Sequence, residues 1–477
     1  MTAILIIAAV CALVWGTYLT LRGSLVGGCM VYLILVTCFA NQFAQYDIGP
    51  LTWTLDRLFL VLLVAAFCVQ WRLGKIDFKK LTASEYLLAA FLGLAIISTF
   101  AHDWRAASTD VSVTMRLANG FIIPAIIYMI ARQAKLGEGN VSFVHVGLAV
   151  FGLYLAVTAI MEVTGQWGLV FPRYIADPEL GIHFGRARGP ALQSSVNGSV
   201  MVMCLGALWV TYAWQMRGSR VGLLLAILSV PIFATAVYFT YTRSVWLGAA
   251  IAGTIVLGLT LQGRWRPLVL GGLTAVALLA IVTQWDSLVA FRREDSAAVT
   301  RQSTYMRASF AYVSLQMFKD RPLRGFGFGQ FARKNRTYLS DRSTNLHLES
   351  IRGYVHHNTP LCVLVEMGLF GLLAYLAFFA AWMRNGWRLW KNRQQPNWAR
   401  AHGLILIAAL ACYASQMIFH DVTYSPIDNT LLYLLAGLAS GLLATKPTDH
   451  RRSVQATPRR RDDYVATTHP VLSDVRA

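Results

Sequence analysis

The sequence predicts an all-α fold, a polytopic bundle of 12 to 13 transmembrane helices with one large, partly helical extracytoplasmic loop. Three observations lead to it. Of 477 residues, 56% are hydrophobic and 14% charged, and the mean hydropathy is positive, a composition found in membrane proteins. The apolar residues fall into runs close to the ~20 residues that cross a bilayer as a helix. These runs are also too long and too evenly apolar for barrel strands, so their backbone polar groups have to be satisfied within helices.

Thirteen segments are predicted, near 3–21, 24–41, 55–71, 84–101, 117–132, 142–162, 196–214, 221–240, 243–261, 267–284, 359–383, 401–419 and 429–445. They divide the chain into N-terminal membrane helices (1–163), membrane helices with Arg-bearing outer loops (164–284), a large loop (285–358), C-terminal membrane helices (359–445) and a basic tail (446–477). The extreme N-terminus lacks the basic n-region of a secretory signal, so it is expected to stay as a membrane helix. Only Leu21-Arg-Gly-Ser24 separates the first two segments, which therefore either both span or form a re-entrant pair.

Charge fixes the expected orientation. Trp71 to Lys80, Arg132 with Lys135, Arg217 with Arg220, Arg264 with Arg266, and Arg384 through Arg400 are basic, whereas Asn41–Trp53 and His420–Thr430 hold almost no Lys or Arg. Basic loops stay in the cytoplasm, which puts the tail inside and the large loop outside. The formal charge of +19 is then assigned to topology, lipid headgroups and an anionic substrate, with no nucleic-acid partner. The seven cysteines lie in apolar segments without ligand spacing and read as buried hydrophobes. The tail, with Arg451, Arg452 and Arg459–Arg461, has no periodicity and reads as disordered and lipid-facing.

The large loop carries an amphipathic helical run from Tyr305 to Phe318 and then the turn Arg321-Pro-Leu-Arg-Gly-Phe-Gly-Phe-Gly-Gln330. Its glycines lack the strand–helix setting of a nucleotide site and read as tight turns between Phe326, Phe328 and Phe331. The loop closes with Tyr354-Val-His-His-Asn358. Pro360 suits a first helical turn and Asn358 or Thr359 a cap, so His357 stands just before a helix N-terminus. The positive end of that helix keeps imidazole neutral and able to act as a base, although the same position suits a histidine that only hydrogen-bonds at the interface. Neighbouring residues do not share a helix face, so one of His356 and His357 is expected in the site and the other in support.

Arg243 lies in the turn between two segments, and Arg186 and Arg188 lie in the outer loop Thr164–Val196. An arginine at a helix end often only snorkels to the interface. Three guanidinium groups on one face instead suit bidentate binding of an anionic headgroup phosphate. Glu366 is expected as a buried partner for an outer arginine or a polar neighbour, and Gly368 and Gly371 as points of close helix packing. No acidic or His/Cys cluster is spaced as metal ligands, and no metal or cofactor is expected.

These residues resemble the bacterial O-antigen ligase and O-antigen polymerase family. His357-Asn358 followed after nine residues by Gly368-Leu-Phe-Gly371 is similar to the family's histidine signature, and Thr242-Arg-Ser-Val-Trp-Leu-Gly248 to its arginine-bearing helix start. Asp320 to Phe331 is similar to its loop, and Arg188-Gly-Pro-Ala-Leu-Gln-Ser-Ser-Val-Asn197 to its earlier Arg…Asn element. This chain departs from the family in having Gln193-Ser-Ser-Val196 where relatives often have Pro-Asn, and in its doubled histidine. The resemblance implies metal-independent glycosyl transfer at the outer face of a bacterial inner membrane. The donor is an undecaprenyl-diphosphate-linked glycan, and the acceptor is a sugar hydroxyl on lipid A core, a growing glycan or a glycoprotein. His357 is then expected as the base of an inverting displacement, with Arg188, Arg243 and Arg186 on the donor diphosphate and His356, Asn358 and Glu366 in support. The competing expectation is a flippase or transporter of lipid-linked oligosaccharides. It is disfavoured because transporters place ionisable residues and broken helices near the midplane, often in repeated halves, whereas here the polar groups gather at one face.

Overall fold

The computed structural model describes residues 17, 20–48, 51–105, 111–212, 219–261, 263–272, 275 and 297–445. The predicted segments near 3–21 and 267–284, the start of the large loop and the tail 446–477 lie largely or wholly outside the described residues. We label the main helices α1 Leu25–Cys38, α2 Leu55–Arg72, α3 Ala83–Phe100, α4 Val113–Gln133, α5 Glu138–Val163, α6 Ser194–Val210, α7 Arg220–Phe239 and α8 Arg243–Thr260. They continue with α9 Ala297–Asp320, α10 Thr359–Lys391, α11 Asn397–Phe419 and α12 Pro426–Ala444. Among the described residues eight of these (α3, α4, α5, α7, α8, α10, α11 and α12) are long and apolar enough to cross a membrane. The fold is that of an all-α polytopic protein, and the predicted segments match helices to within a few residues at most ends.

The short links between successive membrane helices sort them into two ends. One end carries the links after α1, α3, α5, α7 and α11 together with the large loop, and all the residues expected in the site. The other carries the basic links. Small residues bring the helices together. A Cβ on Gly437 of α12 would come within 2.4 Å of the Tyr128 carbonyl of α4, and one on Gly403 of α11 within 2.6 Å of the Gly386 carbonyl of α10. α12 is accordingly buried along most of its length, while α7 and α8 lie at the periphery. At the basic end, Arg132 is ion-paired to Glu85 at 3.0 Å, and Tyr128 bonds both Glu85 and Ser440.

Two findings differ from expectation. Residues 41–53, expected as a plain loop, contain an antiparallel hairpin, β1 Gln45–Ile48 with β2 Leu51–Thr54, in which Tyr46 faces Trp53. Gly368 is not a packing contact inside a continuous helix. It breaks α10, with φ 67° and ψ −168°, a conformation essentially confined to glycine. The break frees backbone groups that have no water to turn to in a membrane setting, and the glycine turn of the large loop supplies their partners. Phe326 N–H donates to the Val365 carbonyl at 2.9 Å, Gly327 N–H to the Glu366 carbonyl at 2.8 Å, and Leu369 N–H to the Pro322 carbonyl at 2.8 Å. Approach is so close that a Cβ on Gly325 would sit 2.5 Å from the Glu366 carbonyl group. The glycines at 325, 327 and 329, all with positive φ, are therefore the turns the sequence suggests, and their use is to seat the loop in a broken helix.

The described part of the large loop folds on a core of its own. α9 contains the expected amphipathic run, and its Phe310, Val313 and Met317 pack with Phe326, Phe331, Leu339, Leu348 and Ile351 of the loop and Val365 of α10. The loop is anchored sideways to α3 as well, through Phe328 N–H to Ser98 Oγ at 3.0 Å and Gln330 Nε2 to the Asp103 carbonyl at 2.9 Å.

Candidate active site

A cavity of about 480 Å³ opens at the loop end of the bundle. Its wall is drawn from parts of the chain far apart in sequence: Ile182 and His183, Gln193 to Val196, Thr242, Met306 and Arg307 of α9, Val355 to His357, Gln416 and Phe419 of α11, the link His420–Ser425, and Asp428 of α12.

Both neighbouring histidines reach it, in different states. His356 is 1% exposed and fully engaged. The Asn358 N–H donates to its Nδ1 at 2.9 Å, so the ring proton sits on Nε2, which lies 2.8 Å from Ser314 Oγ on α9. Phe310 and Phe331 pack against the ring, and burial pushes the imidazole down to about 4. His357 is only partly buried and packs edge-on against Phe310, with centroids 5.2 Å apart. Asn358 caps α10 as expected, its Oδ1 accepting from Leu361 N–H at 2.9 Å, and its Nδ2 donates to the Ile418 carbonyl at 2.9 Å.

Glu366 has an arginine partner that sequence reasoning passed over. Arg116, 2% exposed on α4, donates through Nη1 to both Glu366 oxygens at 3.0 and 2.8 Å, through Nη2 to Asp421 Oδ2 at 3.1 Å and through Nε to Thr423 Oγ1 at 2.8 Å. Its guanidinium lies between the Phe328 and Tyr424 rings, 4.7 and 4.5 Å from their centroids. One cation thus ties together α4, the broken α10, the glycine turn and the α11–α12 link. A π-helical turn, Ala118–Ile122, follows directly, with Gly120 so near the Thr423 carbonyl that a Cβ would come within 2.2 Å.

The three expected phosphate ligands do not come together on the cavity wall. Arg188 is fully buried, and its guanidinium donates to Glu162 Oε1 at 3.3 Å and to the carbonyls of Leu180 (2.6 Å), Ile175 (2.9 Å) and Asp177 (3.3 Å), with Phe184 stacked at 4.7 Å. It binds the outer loop to α5 instead of facing the cavity. Arg186 is buried in the same loop, outside the wall. Arg243 is exposed as the first residue of α8, next to the cavity-lining Thr242 that caps that helix.

Positive potential is supplied to the cavity by Arg307 on its wall and by backbone. Gln193, Thr242 and Ser425, the N-caps of α6, α8 and α12, lie on its wall, and Asn358, the N-cap of α10, follows lining His357. At α6 and α8 no side chain caps the first-turn N–H groups. The N-termini of α6 and α8, without side-chain cap bonds and without an acid in the first turn, favour a bound anion. His420, also missed from sequence, places Nε2 2.9 Å from Ser244 Oγ, and Gln416 Oε1 lies 3.0 Å from the same hydroxyl. Among the described residues no three His, Cys, Asp or Glu side chains are placed to share a metal ion.

Residues 228–376 match the family model for O-antigen ligase, a stretch running from α7 through Arg243, the large loop and both histidines into α10 beyond the Gly368 break. No curated protein matches the chain. The match supports the chain's resemblance to the O-antigen ligase family over residues 228–376.

Proposed function

We propose that the chain transfers a glycan from undecaprenyl diphosphate to a sugar hydroxyl, as an O-antigen ligase or an O-antigen or exopolysaccharide polymerase, in a bacterial inner membrane with the cavity facing the periplasm. The match of residues 228–376 to the O-antigen ligase family model supports the general activity. The observation that carries the finer reading is that His357 and the N-caps of α6 and α8, which make no side-chain cap bond, line one cavity. The orientation rests on the basic links at the opposite end.

In this proposal the acceptor oxygen attacks the anomeric carbon as the bond from that carbon to the diphosphate oxygen breaks. The bonding pair leaves with the diphosphate, and the acceptor proton passes to His357. A single displacement inverts the anomeric configuration. Charge grows on the leaving oxygens, where the free N–H groups of α6 and α8 and the fork of Arg243 stabilise it without reorganising. Arg188 serves the same site by holding the outer loop that presents His183. His356, locked as a neutral donor to α9, sets the position of its neighbour.

A deletion strain tests the reading. Single repeat units still displayed with long chains lost would identify a polymerase, and full-length chains stranded on the lipid carrier would identify a ligase. Unchanged lipid-linked and surface glycans would contradict both.

A further inference from the structure

The buried acids near the cavity divide into two kinds. Glu162, Glu366 and Asp421 each meet an arginine, Arg188 for the first and Arg116 for the other two. Asp428 is equally buried, at 2% exposure, yet no ion pair reaches it among the described residues. Asp428 is one of the residues that line the cavity, and its Oδ1 accepts from the buried Ser199 hydroxyl of α6. Its backbone N–H, in the first turn of α12, donates to the Ser425 cap at 3.4 Å. A carboxylate drawn from water into a membrane helix bundle without a cation is costly, and such a residue is kept where it has work to do. The same wall carries Gln416, Ser195 and Thr242, which offer an amide and hydroxyls but no formal charge.

We propose that Asp428, with Gln416 and Ser195, forms a subsite that holds a sugar ring through its hydroxyls, Asp428 accepting from two of them. A carboxylate beside an amide and a hydroxyl matches the donors and acceptors of a pyranose, whereas a diphosphate is repelled by the carboxylate and belongs at the helix N-termini. The inference rests on the glycan-transfer reading and adds to it a residue that selects the sugar without taking part in bond making. The ring can belong to the donor or to the acceptor, and kinetics separate the two.

The experiment uses the purified full-length protein, the lipid-linked repeat extracted from producing cells as donor, and the acceptor glycan supplied separately. Transfer by the wild type tests the proposed function by itself. Asp428→Asn keeps the shape but loses the charge, and is expected to raise KM about tenfold or more for one of the two substrates while kcat stays within about twofold, the loss of a charged hydrogen bond to a neutral partner. Which KM rises assigns the ring to donor or acceptor. Binding of polyprenyl diphosphate lacking a glycan should be unaffected. Ser199→Ala, which removes the hydroxyl holding Oδ1, should raise the same KM by a smaller factor, and carries the test should Asp428→Asn not fold. Unchanged KM values in an active variant would overturn the subsite. A fall in kcat at constant KM would overturn it too, since Asp428 would then act in the chemistry.

Discussion

Two polar regions lie side by side at the loop end, and they differ in how completely their groups are used. In the supporting network, Arg116 with Glu366, the caged Arg188 with Glu162, and Asp421 and His356, which also line the cavity, meet partners inside the protein. On the lining, His357 and Asp428 stand where a ligand can reach them. The comparison separates two jobs for the same residue types. A saturated buried charge holds distant segments in register at a cost that only complete pairing repays. In the proposed function a charge or imidazole on the cavity lining meets the substrate. Changes in the supporting network should therefore cost folding, and changes at His357 and Asp428 should cost transfer alone.

The largest effect is expected at Arg116. Arg116→Ala would leave Glu366 and Asp421 buried without a cation, a loss of about 3–5 kcal/mol. A low yield of folded protein and a steep fall in Tm of the purified remainder would show it. A variant that unfolds like the wild type but transfers poorly would move Arg116 from the supporting network to the lining. Next is Gly368→Ala. The new Cβ would lie 2.2 Å from the Leu323 carbonyl oxygen in a backbone conformation that costs an L-residue about 1–3 kcal/mol, before any clash is counted. Proteolysis should then cut the loop at 321–330 faster than in the wild type, because the turn would no longer seat in the break.

The smallest effect is a pH dependence. Burial holds the folded His356 near 4, below its ordinary 6.5. Below pH 6.5 the unfolded chain takes up a proton that the folded site refuses, so stability is full above 6.5 and falls as the pH drops toward 4, by about 1 kcal/mol over the first unit. Tm measured from pH 7.5 to 5 should fall less in His356→Gln than in the wild type. Equal slopes would mean that His356 does not carry this acid sensitivity.

The fold was legible where physics is local. Apolar runs gave the membrane helices, and the spacing of Tyr305 to Phe318 gave α9. Asn358 and Pro360 gave the start of α10. What was illegible depends on distance. Arg116 stands at the edge of an apolar segment, where it reads as a snorkelling residue, and its partners lie 250 residues and more away in the chain. His420, Asp421 and Asp428 belong to a link noticed only for its lack of Lys and Arg. Arg188 has the residue type of a phosphate ligand, and only the carbonyls of Ile175, Asp177 and Leu180 around it reveal its other employment. The hairpin had a local signal, Gly49-Pro50 between two β-prone runs, that the search for membrane segments passed over.

The central claim is that His357 does the chemistry while His356 holds it in place. It is tested most directly by assaying transfer and thermal unfolding together in purified His357→Ala and His356→Ala, with donor and acceptor supplied separately and EDTA present. His357→Ala is expected to lose about 10²–10⁴ in rate with Tm unchanged, and His356→Ala to lose Tm and much less of the rate per folded molecule. Wild-type turnover by His357→Ala would contradict it.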